Sequence, residues 1–356
     1  DAAGAGCTDD DGTVLFISLA PGVYTVVETE APPGYFIAPP LDPVTVRPGS
    51  TSIVDVVDQP VPPPWAYTVN PPPTPGAKPA PADPGPRSVP GTTVTFTVAQ
   101  TRDPYNPPDW HPADHPPMPP SVAHGRPKEL RACGFCHLTN GQGRPENASL
   151  AGLPAAYIVQ QMADFKNGDR KSAEPRMGPP NAMIQDAKAA TPAEVTEAAA
   201  YFSSFPFKKW IRVVEAKDVP KTRIAGSMHV PAEGTEPLGQ RIIEMPEDLA
   251  RTELRDGASG FVAYVPPGSI AKGESLVKTG GGKSVACGTC HGGDLKGLGP
   301  IPPLAGRSPS YTVRQLFDFQ RGARRGPWSP LMRAAVEKLT VDDMIAIAAY
   351  TSSREP

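Results

Sequence analysis

The chain has 356 residues, 39% of them hydrophobic and 20% charged, which is too long for one core and predicts two or three domains. A formal net charge of −3 argues against a nucleic-acid partner and against a polybasic membrane surface, and no run of eighteen apolar residues supplies a membrane span. Forty-nine prolines are the outlier, and they cluster rather than spread.

Residues 1–60 are expected to form a small all-β sandwich. Thr13–Phe16 and Gly22–Glu28 alternate with β-branched residues, Ser52–Val57 closes the set, and Gly12, Pro21-Gly22 and Pro32-Pro33-Gly34 supply turns. The stretches Thr8–Gly12, Leu19–Tyr24 and Glu28–Tyr35 resemble the prealbumin-like repeats of bacterial surface and pilin proteins. In that family a lysine joins an asparagine or aspartate of the last strand through an isopeptide bond, assisted by a glutamate. Glu28 and Asp58 hold the matching positions here, yet no lysine precedes Lys78, so a plain structural module is expected. Cys7, the odd one of five cysteines, is expected to be a small buried thiol, the rival readings being a lipid-bearing or intermolecular cysteine.

Residues 61–90 are expected to be a semi-rigid proline-rich linker that holds the β module away from the rest of the chain. A first helical domain is expected over 91–215, with an N-terminal extension. Val94–Val98 suggests a short strand, and Asp103–His124 carries Trp110, His111, His115 and Met118 among eight prolines. Irregular spacing makes a surface wrap the better reading than a metal site for these histidines.

Cys133-Gly134-Phe135-Cys136-His137 and, 154 positions later, Cys287-Gly288-Thr289-Cys290-His291 both have the form CxxCH. In that arrangement two thiols bond to a haem's vinyl groups and the adjacent imidazole coordinates its iron. A zinc site would need ligands drawn from motifs far apart and would leave each following histidine unused. The motifs sit inside a longer repeat: Leu150-Ala151-Gly152 recurs as Leu304-Ala305-Gly306, thirteen residues after each histidine. Tyr157, Gln161, Asp164, Phe165, Gly168 and Arg170 recur as Tyr311, Gln315, Asp318, Phe319, Gly322 and Arg324 at identical spacing.

Local pattern alone leaves the second axial ligand of the first haem open between Met177 and Met183, with His111 or His115 as a remoter rival. The repeat favours Met183, which stands eight residues before Thr191, as Met332 stands eight residues before Thr340. The expected iron ligands are therefore His137 with Met183 and His291 with Met332, while Met162, Met245 and Met344 are read as core. Thr191-Pro192-Ala193-Glu194 and Thr340-Val341-Asp342-Asp343 predict capped closing helices. Ile158, Met162 and Phe165, and likewise Thr312, Leu316 and Phe319, predict an amphipathic middle helix in each repeat. Residues 216–270 are expected to be an inter-domain segment with strand-like runs, and 271–356 the second helical domain.

The stretch from about Pro90 to Pro356 resembles dihaem class I cytochromes c. The resemblance implies two all-α class I cytochrome c domains, two haem c groups bound through Cys133, Cys136, Cys287 and Cys290, and electron relay between redox partners. No catalytic residue is expected. Haem thioethers form outside the energy-transducing membrane, so the protein is expected to be exported, periplasmic or at the cell surface, and any signal peptide removed. The alternatives are a cytochrome subunit of a dehydrogenase complex and a dihaem peroxidase, which would need an open iron. Donor and acceptor are not legible, and association with a surface or complex through the β domain is compatible with either relay reading.

Overall fold

The computed structural model describes residues 3–9, 12–32, 35–38, 40–56, 59–72, 76 and 84–356, which divide into two units, Asp1–Pro62 and Pro63–Pro356. In the first unit β1 (Gly22–Tyr24) pairs antiparallel with β3 (Val44–Val46), and β2 (Tyr35–Phe36) with β4 (Gln59–Pro60). Tyr24, Val26 and Glu28 share the half-buried face, and Glu28 accepts a hydrogen bond from the Ala38 amide at 2.6 Å. The runs expected at Thr13–Phe16 and Ser52–Val57 lack ladders among the described residues. Leu15, Ile17 and Ile53 are exposed there, with no facing layer to make strand pairing worthwhile. Cys7 is exposed rather than buried, and Asp58 lies outside the described residues.

The second unit corrects the reading of 61–90 as linker throughout. Ala66, Tyr67 and Thr68 are buried, and Tyr67 donates to Asp318 Oδ1 at 2.7 Å and the Arg314 carbonyl at 3.0 Å. Thr68 donates to the Ser227 carbonyl at 2.6 Å. Residues 63–68 form no ladder, but their aromatic side chain finds a core to fill. After β5 (Pro86–Arg87), which pairs with β6 (Phe96–Thr97), come two one-turn helices, α1 (Val98–Thr101) and α2 (Pro120–Ala123). Prolines on either side of α2 keep it that short.

The first repeat comprises α3 (Cys133–His137), α4 (Ala155–Asn167), α5 (Gly178–Ala189) and α6 (Pro192–Ser203). Gly168, in the left-handed region at φ 79°, ends α4, and the Thr191/Glu194 capping box starts α6.

Between the repeats lie β7 (Ile211–Glu215), the hairpin β8 (Asp218–Ala225) and β9 (Met228–Pro237), β10 (Ile243–Pro246), α7 (Leu249–Glu253) and β11 (Phe261–Val265). The strands β10, β11 and β7 make a mixed sheet, antiparallel then parallel, so the strand-like runs are strands. His229, given no role from sequence, ties the hairpin to the Trp65 carbonyl at 2.9 Å.

The second repeat follows with α8 (Ser269–Thr279), α9 (Gly288–His291), α10 (Pro309–Gln320), α11 (Ser329–Val336) and α12 (Val341–Ser353). The helices α8 and α12 cross at Gly273, where a Cβ would overlap the Ala346 carbonyl, so the approach requires glycine. The predicted face of α10, Thr312, Leu316 and Phe319, is less deep than Val313 and Phe317. Those two are 0% and 1% exposed because α10 is packed on α12 and on the Tyr67 segment as well.

Candidate functional site

Each CxxCH motif forms a single helical turn ended by a positive φ, at Leu138 (60°) in one and Gly292 (84°) in the other. That turn carries the histidine inward, leaving His137 7% and His291 8% exposed. His137 Nδ1 lies 2.8 Å from the Ala148 carbonyl and His291 Nδ1 2.8 Å from the Pro302 carbonyl, eleven residues on in both repeats. A carbonyl only accepts, so Nδ1 carries the hydrogen and Nε2 keeps the lone pair that a metal needs. Burial pushes both imidazoles below their ordinary pKa, which keeps them neutral.

Cys133, Cys136 and His137 open onto one cleft whose empty volume is about 1330 Å³, open solvent at its mouth included. Small-molecule and cofactor sites take about 300–1,000 Å³, so the cleft admits a large planar ligand. Its walls include Leu153, Ile158, Met162, Phe165 and Phe202, and Met183 and Pro180 of α5 line it too. Met162, expected to be core, is thus a wall residue. Met177, the other methionine weighed as ligand, is 0% exposed in the core beside Tyr67 and Phe317. His111 and His115 point to carboxylates, donating to Asp256 Oδ1 at 2.8 Å and Asp109 Oδ1 at 3.1 Å, and neither lines the cleft. Burial pushes the Cys133 thiol up to about 12 and raises Cys287 as well. Such surroundings suit a thioether better than the thiolates zinc requires.

In the second repeat Cys287 and Met332 both pack against the core cluster that contains Val313, Phe317 and Ile345. Tyr311, Arg314, Gln315 and Asp318 of α10 reach across to line the first cleft. The repeats therefore meet at it. Arg170 donates to Gln161 Oε1 (2.8 Å), Gln315 Oε1 (3.0 Å) and the Tyr311 hydroxyl (2.9 Å). Reciprocally, Arg324 donates to Gln315 Oε1 (3.1 Å), Gln161 Oε1 (2.7 Å) and the Tyr157 hydroxyl (3.3 Å). These are the residues the repeat spacing picked out, joined across a local two-fold relation.

The outer side of the motif turn differs between the repeats. In the first it is roofed: Arg255 stacks 3.5 Å from the Phe135 ring centre and donates to the Phe135 carbonyl at 2.8 Å. Asn140 and Gln142 are tied to the Gly257 and Ser259 carbonyls, and Trp110 donates to the Leu254 carbonyl. Sequence reasoning missed Arg255, which lies outside any repeat and so leaves no periodic trace. It missed Tyr67 too, although the doublet Trp65-Ala66-Tyr67 inside a proline-rich run was a usable signal.

The cytochrome c4 of Azotobacter vinelandii is 31% identical over 235 residues, covering 61% of this chain and 82% of that protein. The chain belongs to the cytochrome c4 family. It carries two c-type haems and is an electron-transfer protein rather than an enzyme. This cytochrome is also similar, at 25% identity over 64% of its chain and 81% of the relative, to the thiosulfate dehydrogenase electron acceptor of Thiomonas intermedia. A solved thiosulfate dehydrogenase from Marichromatium purpuratum aligns at 26% identity and a TM-score of 0.41 over 63% of this chain, which spans only 36% of that one. Ahead of the haem domains, residues 3–60 match a prealbumin-like fold domain. Among the described residues no helix is long and apolar enough to cross a membrane.

Proposed function

We propose that this cytochrome relays electrons outside the cytoplasmic membrane through two haems, each held by one histidine and one methionine. The first would be attached at Cys133 and Cys136 and ligated by His137 and Met183. The second would be attached at Cys287 and Cys290 and ligated by His291 and Met332. The observation that carries the reading is the shared cleft of Cys133, Cys136, His137 and Met183, with the histidine already turned by the Ala148 carbonyl. Bound haem supplies a one-electron couple, and an iron filled by nitrogen and thioether exchanges electrons with little rearrangement. The chain's own residues do the rest. Apolar walls exclude water, and Arg170 and Arg314 bring buried positive charge to the cleft, suited to a cofactor bearing carboxylates.

The likeness to a thiosulfate dehydrogenase electron acceptor favours a dehydrogenase of a reduced sulfur compound as donor, with this chain free or as its cytochrome subunit. The prealbumin-like unit would then be an added module for association with a surface or complex. Haem counting by mass, with spectra of Met183→Ala and Met332→Ala, tests the ligand set. Each variant should lose half of the sulfur-to-iron charge-transfer band, while Met177→Ala retains it. A high-spin spectrum in the unaltered protein, with rapid peroxide turnover, would replace relay by peroxidase chemistry.

A further inference from the structure

The two haem sites share their ligand pattern and their mutual interface, but among the described residues only the first has a cation stacked behind its motif turn, the half-buried Arg255. Arg255 stacks on Phe135, within the first CxxCH, and donates to the Phe135 carbonyl (2.8 Å) and the Thr101 carbonyl (3.1 Å). Both acceptors are neutral. The carboxylate next to it in sequence, Asp256, is taken by Arg251 (2.7 Å) and His111 (2.8 Å). The other charges around the first motif are paired off, Arg131 with Asp186 (3.0 Å) and Arg144 with Glu146 (2.6 Å).

Among the described residues no cation stacks on the second motif turn, and the buried Arg307 of the second repeat donates to carbonyls of both repeats, Pro303, Ser149 and Ala151. Thr289 stands where Phe135 does, and it is exposed. A Cβ on Gly134 would meet the Val122 carbonyl at 2.8 Å and Pro107 at 3.4 Å, whereas one on the matching Gly288 would meet only Gly293 of its own loop, at 3.4 Å. The buried Arg170 and Arg324 mirror one another between the repeats and so do not distinguish the two sites, whereas Arg314, with Gln160 at the matching position, is a further unmirrored cation on the first cleft.

We propose that Arg255 is a positioning residue that raises the reduction potential of the first haem above the value it would have without that charge. Taking up an electron lowers the charge at the iron by one, and a fixed cation in a medium of low dielectric favours the form with less positive charge. The stacking on Phe135 and the two carbonyls keep the half-buried guanidinium in place, so its effect is built into the fold and salt screens it less than an exposed charge. The proposal rests on the two-haem ligand set of the proposed function.

Potentiometric titration of the two-haem protein, with Arg255→Gln and Arg255→Lys, tests it. In Arg255→Gln one potential falls, and the electron's partition in the half-reduced protein moves at least tenfold toward the other haem, ~59 mV for a one-electron couple. Arg255→Lys keeps most of the wild-type separation. Met183→Ala identifies the first haem as the centre that loses its sulfur band. If that variant keeps both bands the ligand reading fails, while the comparison of Gln with Lys still decides whether charge at position 255 sets a potential. Unchanged potentials in Arg255→Gln overturn the proposal, as does an equal fall in Arg255→Lys or a shift confined to the second haem. If Arg255→Gln does not accumulate with two haems, Arg255→Met, of similar reach and uncharged, must give the same fall.

Discussion

The two repeats agree wherever the chain must hold a cofactor or meet its twin, and disagree on the outer side of the motif turn. Both histidines donate to a carbonyl eleven residues on, both closing helices start with a capping box, and Arg170 and Arg324 exchange the same partners. Around α3, by contrast, the 249–259 segment and the proline-rich wrap close over the turn, while around α9 the matching positions are open. A duplicated domain thus keeps what its ligand and its interface demand and is free to vary where neither applies. That freedom is what lets the two motif turns keep unlike surroundings.

The interface is the place to break the symmetry most forcefully. Replacing Arg170 by Ala leaves Tyr311 without its buried charged donor and Gln161 and Gln315 with Arg324 alone, and Arg324→Ala leaves Tyr157 without one and both amides with Arg170 alone. Each change should cost about 3 kcal/mol or more in denaturant unfolding of the haem-loaded protein. Because both amide oxygens accept from both guanidiniums, each single change leaves them one donor and only the double leaves none, so the double variant should cost more than the two single changes added, by at least about 0.5 kcal/mol. A negligible cost for either one alone would show that the repeats are not joined there.

Much of this interface is legible in the residues alone. The spacing from Tyr157 to Arg170 and from Tyr311 to Arg324 marks its members, because a contact made by both copies leaves its imprint twice. Thr191 and Thr340 are legible because a cap is written in four consecutive residues. What escapes is non-repeated and long-range. Arg255 meets Phe135 across 120 positions, Tyr67 meets Asp318 across 251, and nothing in local periodicity speaks to such partners. Thr13–Phe16 fails in the other direction: it alternates like a strand, but all four residues are exposed and make no ladder among the described residues.

A second asymmetry lies in the aspartates of the repeat. Asp164 is held by the side-chain amides of Gln160 and Gln161 on its own helix, whereas Asp318 takes Tyr67 and the Ala173 amide from outside. Burial pushes the Asp318 carboxyl up to about 6, against the donors that favour its charged form. The folded state therefore binds this proton more tightly than the unfolded chain, and between about pH 4 and 6 stability falls as pH rises, then levels. Asp318→Asn should flatten that slope. Tyr67→Phe removes a donor to the carboxylate, so the slope should move to higher pH, with a loss of about 1 kcal/mol near neutrality. Chemical unfolding across pH 4 to 8 reads both, and a wild-type curve that rises through the same window would exclude the assignment.

The gentlest comparison is at the caps. Thr191 Oγ1 accepts from the Glu194 amide at 3.3 Å and Thr340 Oγ1 from the Asp343 amide at 3.2 Å, so the local loss on Thr→Ala should be alike, about 1 kcal/mol each. The surroundings are not alike. Lys272 and Lys283 both reach Asp343, at 3.0 and 2.6 Å, and against its burial they hold that carboxyl below the usual range. With Thr340 gone, Asp343 stays anchored by the lysines of α8 and the loop after it, so α12 keeps its first turn. Glu194 keeps the amide of residue 191 and, as its one charged partner, Arg126. Thr340→Ala should then be the milder of the two in thermal unfolding, by a few tenths of a kcal/mol. The margin should close below the pH at which Asp343 takes up a proton, because the lysines then have no charge to hold.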